Sequence, residues 1–420
     1  MRIAFSTFGC KINQVETDGM RQAAVNDGNV VVPFDGDADV YVVNTCSVTA
    51  RSDYQCRQAI RAAVRRNAGA RVIVTGCYAA TRGDEVRKIP GVSLILPNEE
   101  KLAIASYLPP DGKTSPNSIT AVRPLPPART RAVLKIQDGC NSRCSYCIVP
   151  LARGGSRSVP REDVIALFDE ALKQGAPEVV LSGIHIGRYG SDLPSAASLT
   201  ELVRDLGGRR GAARIRLSSI EPTEITAELI AMLGKGICRH LHIPLQSGDD
   251  GILHRMNRQY DAGTYRDIVT NIAAHVPGIA VGADVMVGFP GEGEEEFRNT
   301  YDLIESLPIT HLHVFSFSPR PGTPASSMPG QVHETVKKQR NESLRRLGMR
   351  KNMAFRKNFL GAVLPVVVER TQDRTKDLSV GLTDNYIKVS VHGAKRSDIG
   401  RILPVRITAV EVERTEGIVT

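Results

Sequence analysis

Short apolar runs alternate with helix-like stretches along most of this chain, and this rhythm constrains its fold more than any other feature. The first hundred residues contain the runs RIAFSTF, DVYVVNT, RVIVTG and VSLILP. Six longer units follow, with the runs AVLKIQD, EVVLSGI, RIRLSSI, HLHIPLQ, IAVGADVMVG and HLHVFSF. Strands that alternate with helices form parallel sheets. The sequence therefore predicts an α/β protein with a small parallel-sheet domain followed by a partial (β/α)6 barrel.

Turn signals and composition divide the chain into five predicted segments. The parallel-sheet domain spans 1–109, a linker rich in Pro, Gly and Ser spans 110–130, and the barrel spans 131–330. Residues 331–360 have helix-like apolar spacing and form a basic helical extension. Residues 361–420 carry β-branched runs separated by Gly and Asp, which predict a small antiparallel β-barrel.

The positive charge of the chain is concentrated in the predicted helical extension. The whole chain has a formal charge of +9, and 331–360 holds nine basic against two acidic residues. The segment 361–420 is almost neutral, with nine basic and eight acidic residues. One face of the helix is expected to pack on the barrel, and the other is available for phosphate. A solvated helix face without a partner is the alternative.

The eight cysteines are expected to serve as metal ligands or buried thiols. The sequence shows neither a signal-like start nor a stretch of ~20 apolar residues, so we expect no secretion, no membrane span and a cytoplasmic location. Disulfides are rare in that compartment. Cys56 and Cys238 have no clear ligand pattern and are predicted to be structural.

Cys140, Cys144 and Cys147 form a CxxxCxxC run within DGCNSRCSYCIVP, directly after the first strand of the barrel. Three thiolates can hold three irons of a 4Fe-4S cluster and leave the fourth iron open for a chelating small molecule. A structural zinc site uses four ligands, usually in CxxC pairs. A zinc site, a disulfide and chance remain alternatives to the cluster.

Cys10, Cys46 and Cys77 each follow a strand of the first domain. The carboxyl ends of parallel strands meet at one edge of a sheet, where ligands bind. These cysteines are therefore predicted to hold a second three-thiolate cluster. The alternative is that they are three small buried side chains, since free cysteine is often buried.

Nine ordered blocks of the sequence resemble the methylthiotransferase branch of the radical S-adenosylmethionine superfamily. They are GCKINQVET, NTCSVT, VTGCYA, DGCNSRCSYCIVP, RLSSIEP, HIPLQSG, HRMNRQY, VGFPGE and SPRPGTPA. The resemblance implies two 4Fe-4S clusters and insertion of a methylthio group at an unactivated C–H bond. S-adenosylmethionine would have two roles, as the source of a 5′-deoxyadenosyl radical and as the methyl donor. The first role belongs to Cys140, Cys144 and Cys147, and the sulfur to be transferred belongs to Cys10, Cys46 and Cys77.

The same resemblance suggests a pocket for S-adenosylmethionine at the strand ends of the barrel. Tyr146 would pack near the adenine, and Ser182 and Gly183 would meet the methionyl amine. Gln246 and Ser247 would bond the ribose, while VGFPGE would line the adenine. Loop packing is the alternative role for Tyr146, and a simple turn is the alternative for Gly183.

The substrate is suggested by the block GCKINQVET, in which Lys11 follows Cys10. It resembles the subgroup that acts on N6-threonylcarbamoyladenosine at tRNA position 37. Alternatives within the branch are isopentenyladenosine 37 and a ribosomal-protein aspartate. More distant alternatives are a radical enzyme with a relay cluster and an RNA-binding redox sensor without catalysis.

Expected partners follow from the same resemblance. They are the anticodon region of tRNA and an electron donor such as a flavodoxin or ferredoxin. The segment 361–420 resembles the RNA-binding TRAM domain. The sulfur source is not identified by the sequence.

Overall fold

The computed structural model describes residues 1–108, 130–194, 197–373 and 378–420, except the side chains of 371–373 and 378. The described parts of 1–125, 137–157 and 318–326 form one compact unit, and those of 126–136, 158–317 and 327–420 form a second. The CxxxCxxC run thus belongs to the same unit as the amino-terminal sheet. The predicted linker lies outside the described residues except for Thr130, and the five-segment division stays a prediction. In the described parts, no helix is long and apolar enough to cross a membrane.

The strands and helices follow the predicted order. The first strands are β1 (Arg2–Thr7), β2 (Val30–Val32), β3 (Val40–Thr45), β4 (Arg71–Gly76), β5 (Val92–Ile95), β6 (Ala132–Lys135), β7 (Gln137–Asp138) and β8 (Arg157–Ser158). The later strands are β9 (Glu178–Ser182), β10 (Arg214–Leu217), β11 (His240–His242), β12 (Ala280–Val287), β13 (His311–Ser316), β14 (Val363–Asp373), β15 (Leu378–Thr383), β16 (Lys388–His392), β17 (Ile402–Val410) and β18 (Thr415–Val419). The α-helices are α1 (Lys11–Asn26), α2 (Ala50–Arg66), α3 (Cys77–Thr81), α4 (Gly83–Arg87), α5 (Val149–Arg153), α6 (Arg161–Lys173), α7 (Leu199–Arg209), α8 (Ala227–Met232), α9 (Asp250–Arg255), α10 (Ala262–His275), α11 (Glu294–Ser306) and α12 (Glu334–Lys357). Short 3-10 segments occur at Asn98–Tyr107, Ile186–Arg188, Pro222–Glu224, Pro324–Ser326 and Arg396–Asp398.

The first unit is built on a five-stranded parallel sheet with the order β2-β1-β3-β4-β5. All six residues of β3 are buried, which is typical of a central parallel strand covered on both faces. Apolar clusters lie on the two faces, one containing Tyr41 and Val43 and the other containing Val40 and Val42. This alternation fixes the register of the strand. The predicted parallel-sheet domain is confirmed.

The second unit contains six parallel strands in two three-stranded sheets, β10-β9-β6 and β11-β12-β13. Parallel bridges from Ile215 to Ile237 and from Ser219 to His242 join the sheets at β10 and β11. Val179 and Leu181 of β9 pack in the large core with the surrounding helices, whereas Glu178 and Ser182 alternate with them on the opposite face. The predicted partial barrel is confirmed.

The last five strands close into a small barrel with the order β14-β15-β16-β18-β17. Four neighbouring pairs are antiparallel, as predicted. The pair β16 and β18 is parallel. Strand β17 lies between these two strands in the sequence and is antiparallel to β18. The pairing of β17 with β14 closes the barrel.

Helix α12 matches the predicted basic extension but differs in the use of its charges. Leu344 and Leu347 are buried against the barrel, as the apolar spacing predicts. Three basic side chains, Lys337, Arg340 and Arg356, are also buried. The sequence argument did not say which basic side chains lie on the packed face, and the structure places these three there. Each of the three charged groups donates a hydrogen bond to a carboxylate or to a backbone carbonyl oxygen. These bonds compensate for the hydration that the groups lose on burial.

A buried ion network connects the base of the partial barrel with the small carboxyl-terminal barrel. Arg214 and Arg216 both bind the carboxylate of Glu178, at 2.6 and 2.8 Å. Arg214 also donates to the carbonyl of Leu382, and Arg216 donates to that of Thr383. The guanidinium of Arg216 lies over the ring of Tyr386. The two barrels of the second unit are therefore joined through hydrogen-bonded charges.

Candidate active site

Cys10, Cys46 and Cys77 stand at the carboxyl ends of three neighbouring strands. Cys46 follows β3 directly, and Cys77 follows β4 and begins α3. Cys10 comes three residues after β1 and is the N-cap of α1. Since β1, β3 and β4 are adjacent and parallel, the three thiols share one edge of the sheet. The structure thus brings together the three residues that the strand-end argument selected.

Two glycines allow these loops to approach closely. Gly9 has φ +92°, and a Cβ atom there would lie 2.7 Å from the Cys46 sulfur. Gly76 has φ +97°, and a Cβ there would lie 2.2 Å from the carbonyl oxygen of Thr45. Both conformations belong to the left-handed region that glycine adopts without strain. The glycines before Cys10 and Cys77 are therefore required by the packing of the thiol-bearing loops.

The three thiols influence one another electrostatically. Burial raises the pKa of Cys46 above its ordinary value, and the nearby Cys77 and Cys10 groups raise it further. Burial also raises the pKa of Cys77, while Arg153 and Lys101 oppose this shift and Cys10 adds to it. A cluster that bound these thiols would have to displace their protons. These effects agree with the position of the three thiols at one edge of the sheet.

Cys56 contacts the backbone of Cys46 and is not one of the three predicted ligands at this edge of the sheet. Its thiol accepts a hydrogen bond from the Cys46 backbone nitrogen at 3.4 Å, and it lies 3.6 Å from the Cys46 carbonyl oxygen. Complete burial raises the pKa of Cys56 to about 12. Cys238 is also buried and contacts Glu178, far along the chain from either triplet. These contacts agree with the structural roles predicted for both residues.

The loop that carries Cys140, Cys144 and Cys147 is closed by backbone contacts. The Cys140 nitrogen donates to the Gly154 carbonyl at 3.1 Å, and the Cys147 nitrogen donates to the Cys144 carbonyl at 3.1 Å. A Cβ on Gly139, which has φ +70°, would lie 1.9 Å from the Gly155 carbonyl oxygen. All three cysteines and Tyr146 are partly exposed. The loop therefore presents its sulfurs from a fixed backbone.

Arg153 links the surroundings of the two triplets within the first unit. It ends α5, which follows Cys147, and its side chain is 1% exposed. One guanidinium nitrogen donates to Glu16 at 2.8 Å and to Asp138 at 2.9 Å. Lys101 donates to the second oxygen of Glu16 at 2.5 Å. A buried network of two cations and two carboxylates thus lies beside the cysteines.

Sequence reasoning did not find this network. Glu16 and Arg153 are separated by 137 positions, and Lys101 and Glu16 by 85. Periodicity alone places Glu16 on a helix without indicating a partner. A polar residue on the buried face of α1 was the only available signal.

A three-cysteine site for a 4Fe-4S cluster differs in geometry from a site for a single ion. Among the described residues, no three His, Cys, Asp or Glu side chains form a group that could hold one metal ion. A four-iron cluster binds its three thiolates through three different irons, so the sulfurs need to face one space without touching. Cys10, Cys46 and Cys77 agree with that requirement, because they follow three adjacent parallel strands and share one edge of the sheet.

The predicted cofactor residues of the second unit lie at strand ends. Ser182 ends β9 and is buried, and Gly183 follows it. Gln246 has φ +65°, and its buried side-chain oxygen has no hydrogen-bond partner in the described structure. The Ser247 hydroxyl instead lies 3.2 Å from the Thr300 hydroxyl and accepts from the Asp249 nitrogen. Gln246 therefore retains an acceptor for a ligand, while Ser247 already has internal partners.

The VGFPGE segment is held by the basic helix. Glu292 accepts from the Gly288 nitrogen at 2.7 Å and from Arg340 of α12 at 2.7 Å. The aliphatic part of Lys337 packs where a Cβ on Gly288 would lie. The buried charges of α12 thus fix a loop at the end of β12.

Comparison with known families assigns each part of this architecture. Residues 2–97 match an uncharacterized protein family, UPF0004. Residues 134–304 match the Radical SAM superfamily, and residues 357–419 match the TRAM domain.

Relatives match almost the entire chain. A protein of Bacillus subtilis strain 168, named threonylcarbamoyladenosine tRNA methylthiotransferase MtaB, is 40% identical over 99% of this chain and 95% of its own length. Its namesake from Thermotoga maritima is 34% identical over 98% of this chain and 95% of its own length. The chain belongs to this radical S-adenosylmethionine methylthiotransferase family. Membership implies a 4Fe-4S cluster and S-adenosylmethionine as cofactors.

The family also contains relatives with a different named substrate. A tRNA-2-methylthio-N(6)-dimethylallyladenosine synthase of Fusobacterium nucleatum is 31% identical over 90% of both chains. Among solved structures, the radical S-adenosylmethionine methyltransferase TsrM of Kitasatospora setae has a TM-score of 0.57 at 15% identity. It covers 77% of this chain and 75% of its own, and this similarity concerns the fold alone.

Proposed function

We propose that this enzyme inserts a methylthio group at C2 of N6-threonylcarbamoyladenosine 37 in tRNA. The observation that carries the proposal is the presence of both cysteine triplets in one compact unit. A radical reaction that forms a C–S bond needs a site that activates the C–H bond and a site that supplies sulfur. Two separate three-cysteine sites provide one for each task.

Cys140, Cys144 and Cys147 are proposed to hold the radical-generating cluster, and Cys10, Cys46 and Cys77 a second cluster. When bound, an iron–sulfur cluster with an open iron chelates the methionyl end of S-adenosylmethionine and supplies it with an electron. The protein fixes the ligand sulfurs through the Gly139 and Gly155 contact in the loop, and through strand ends in the sheet.

Residues at the strand ends of the second unit are proposed to position S-adenosylmethionine. The free oxygen of Gln246 is suited to accept a ribose hydroxyl. Ser182 and Gly183 would offer backbone groups to the methionyl amine, and Tyr146 would pack against the adenine. Ser247 would act through Gln246 and Thr300, since its hydroxyl is already bonded.

The tRNA is proposed to contact the basic helix and the carboxyl-terminal TRAM barrel. Lys338, Arg345 and Arg346 of α12 are exposed and remain available after Lys337, Arg340 and Arg356 are buried. Each phosphate that they neutralise would add about −0.7 to the salt dependence of binding. A tRNA substrate also supports the proposed cytoplasmic location. The proposed radical-generating cluster needs an electron donor, such as a flavodoxin or ferredoxin.

The dimethylallyl-type nucleoside is the second candidate substrate, because one such relative is 31% identical over 90% of this chain. The threonylcarbamoyl group differs from it by carrying a carboxylate. Lys11, the first residue of α1, is exposed beside Cys10 and is the cation nearest in sequence to the proposed sulfur site.

The proposal is tested by mass spectrometry of tRNA nucleosides from a strain that lacks the gene. We expect the 2-methylthio derivative of threonylcarbamoyladenosine to disappear, and the unmodified nucleoside to accumulate. Complementation with the wild-type gene, but not with Cys144→Ala, should restore it. Loss of the dimethylallyl derivative instead would transfer the proposal to the second substrate.

A further inference from the structure

Arg153 is a buried cation whose partners lie close in sequence to Cys10 and Cys140, one residue from each cysteine triplet. Its guanidinium donates to Asn13 and Glu16 of α1, the helix whose N-cap is Cys10. It also donates to Asp138, two residues before Cys140. Helix α5, which ends at Arg153, also packs on α3, which begins at Cys77, and the charge of Arg153 opposes the rise that burial causes in the pKa of Cys77. One side chain thus touches the structure that holds each predicted cluster.

The two buried cations of this network face two carboxylates, and the half-exposed Arg157 lies 3.9 Å from one of them. Arg153 and Lys101 are the cations, and Glu16 and Asp138 are the carboxylates. A thiolate at Cys77 adds a negative charge that faces Arg153. Because Arg153 is almost completely buried, its field is poorly screened by water.

Stability alone does not account for an arginine at this place. Buried ion networks are often no more stabilising than apolar residues of similar volume. The planar fork of arginine, however, can bond Asn13, Glu16 and Asp138 at once in a fixed geometry, which a lysine or an apolar side chain cannot. The packing of α5 on α3 also places this charge near Cys77, which a purely structural network does not need.

We propose that Arg153 is a positioning residue that joins the two cluster sites: it holds the 138–147 loop against α1 and sets the electrostatic environment of the cluster bound by Cys10, Cys46 and Cys77. This inference rests on the two-cluster proposal above. A cation beside a cluster stabilises the state with the added electron. Arg153 therefore makes the amino-terminal cluster easier to reduce.

The test uses the full chain with Cys140, Cys144 and Cys147 all replaced by Ala, so that only the amino-terminal triplet can bind a cluster. After anaerobic reconstitution, the reduction potential is measured by a redox titration followed by electron paramagnetic resonance. Arg153→Gln should lower the potential, with about a tenfold change in the reduction equilibrium, which is about 59 mV for one electron. Arg153→Lys retains the charge and should lie closer to the parent.

Two further variants separate charge from folding. Arg157→Gln is the matched control, because Arg157 is half-exposed and lies 3.9 Å from Asp138 without contacting Cys77. It should leave the potential unchanged. The double variant Glu16→Gln with Arg153→Gln removes both charges of this pair and keeps an amide oxygen that can accept from Lys101, so it tests the role of Arg153 if Arg153→Gln alone does not fold. Its potential should lie between those of the parent and Arg153→Gln.

The outcomes distinguish the two proposals. If the parent binds about four irons and Arg153→Gln, or the double variant in its place, keeps the parent's potential, Arg153 has only a structural role and this inference is wrong. If the parent with an intact amino-terminal triplet binds no iron, the two-cluster proposal fails and takes this inference with it. A lowered potential in Arg153→Gln, or in the double variant in its place, with wild-type behaviour in Arg157→Gln supports the inference.

Discussion

Cys140, Cys144 and Cys147 lie within eight residues of one loop, whereas Cys10, Cys46 and Cys77 come from three strands spread over 68 residues. The loop triplet is partly exposed and is shaped by contacts within its own segment. The sheet triplet depends on strand order, on glycines at close approaches and on the buried thiol of Cys56. The same number of ligands is thus obtained in one case by local sequence and in the other by tertiary structure. Changes to the fold should affect the second triplet more widely.

The largest expected effect is that loss of one cysteine from each triplet stops a different reaction, either the formation of 5′-deoxyadenosine or methylthiolation. Cys144→Ala should abolish formation of 5′-deoxyadenosine, because the loop triplet would lose one of the three ligands that leave an iron open. Cys46→Ala should retain some cleavage of S-adenosylmethionine but stop methylthiolation. Both are measured by chromatography of the products after reduction. Equal losses in the two variants would contradict separate roles for the triplets.

Replacing the supporting glycines should remove one cluster at a time. Gly76→Ala would place a Cβ 2.2 Å from the Thr45 carbonyl oxygen, and Gly139→Ala would place one 1.9 Å from that of Gly155. Reconstituted iron should fall from about eight to about four per chain in each variant. Only Gly76→Ala should still form 5′-deoxyadenosine.

Gly28→Ala is the matched control for these variants. Gly28 has φ +79°, but no atom lies within 4 Å of the position of a Cβ there. This variant carries the backbone strain, about 1–2 kcal/mol, without the clash. Iron loss in Gly28→Ala would show that strain rather than steric contact governs cluster binding.

The pH dependence of stability should reveal the buried support of the sheet triplet. The pKa of Cys56 is about 12 in the folded protein, against an ordinary value of 9.0. Since the folded state keeps this thiol protonated, its contribution to stability is complete below about pH 9 and is lost as the pH rises from there toward 12. The loss amounts to about 1.4 kcal/mol per pH unit.

This effect is measured by denaturant unfolding of the cluster-free chain. The difference in unfolding free energy between wild type and Cys56→Ala should become smaller above pH 9. Cys56→Ser is the control, because it retains a hydrogen-bonding group but lacks the thiol. The difference in unfolding free energy between wild type and Cys56→Ser should also become smaller above pH 9. A difference that is constant with pH would contradict the argument.

The smallest effect is expected from a surface contact of the loop triplet. Asn141 accepts a hydrogen bond from the Ser156 nitrogen at 3.0 Å in an exposed position. Asn141→Ala should cost about 0.5–1.5 kcal/mol in unfolding free energy. Iron content and 5′-deoxyadenosine formation should stay near wild type. A complete loss of the loop cluster would show that its geometry depends on this single bond.

The sequence allowed both triplets to be selected, for different reasons. The spacing of Cys140, Cys144 and Cys147 is itself a local signal. Cys10, Cys46 and Cys77 were found because apolar runs predict strands and parallel strands end at one edge. Each strand that carries such a thiol was predicted, whereas the three-residue strand β2 was not, because it is too short to show a pattern.

The charged interior was not accessible to the same reasoning. Helical periodicity did not reveal that Lys337 and Arg340 are buried, because it treats basic residues as polar. Arg340 is buried because Glu292, 48 positions away, needs a partner. The parallel pairing of β16 and β18 was missed for a similar reason, since strand propensity does not specify the direction of the neighbour.

The junction between Arg214, Arg216 and the carbonyls of Leu382 and Thr383 has a consequence for truncation experiments. A chain that ends before residue 361 would leave Arg214 and Arg216, which also donate to Glu178, without their carbonyl acceptors. Such a protein would lose packing and hydrogen bonds at the bottom of its catalytic domain together with its last five strands. Inactivity after removal of the TRAM domain would therefore report a damaged barrel as well as lost contact with RNA.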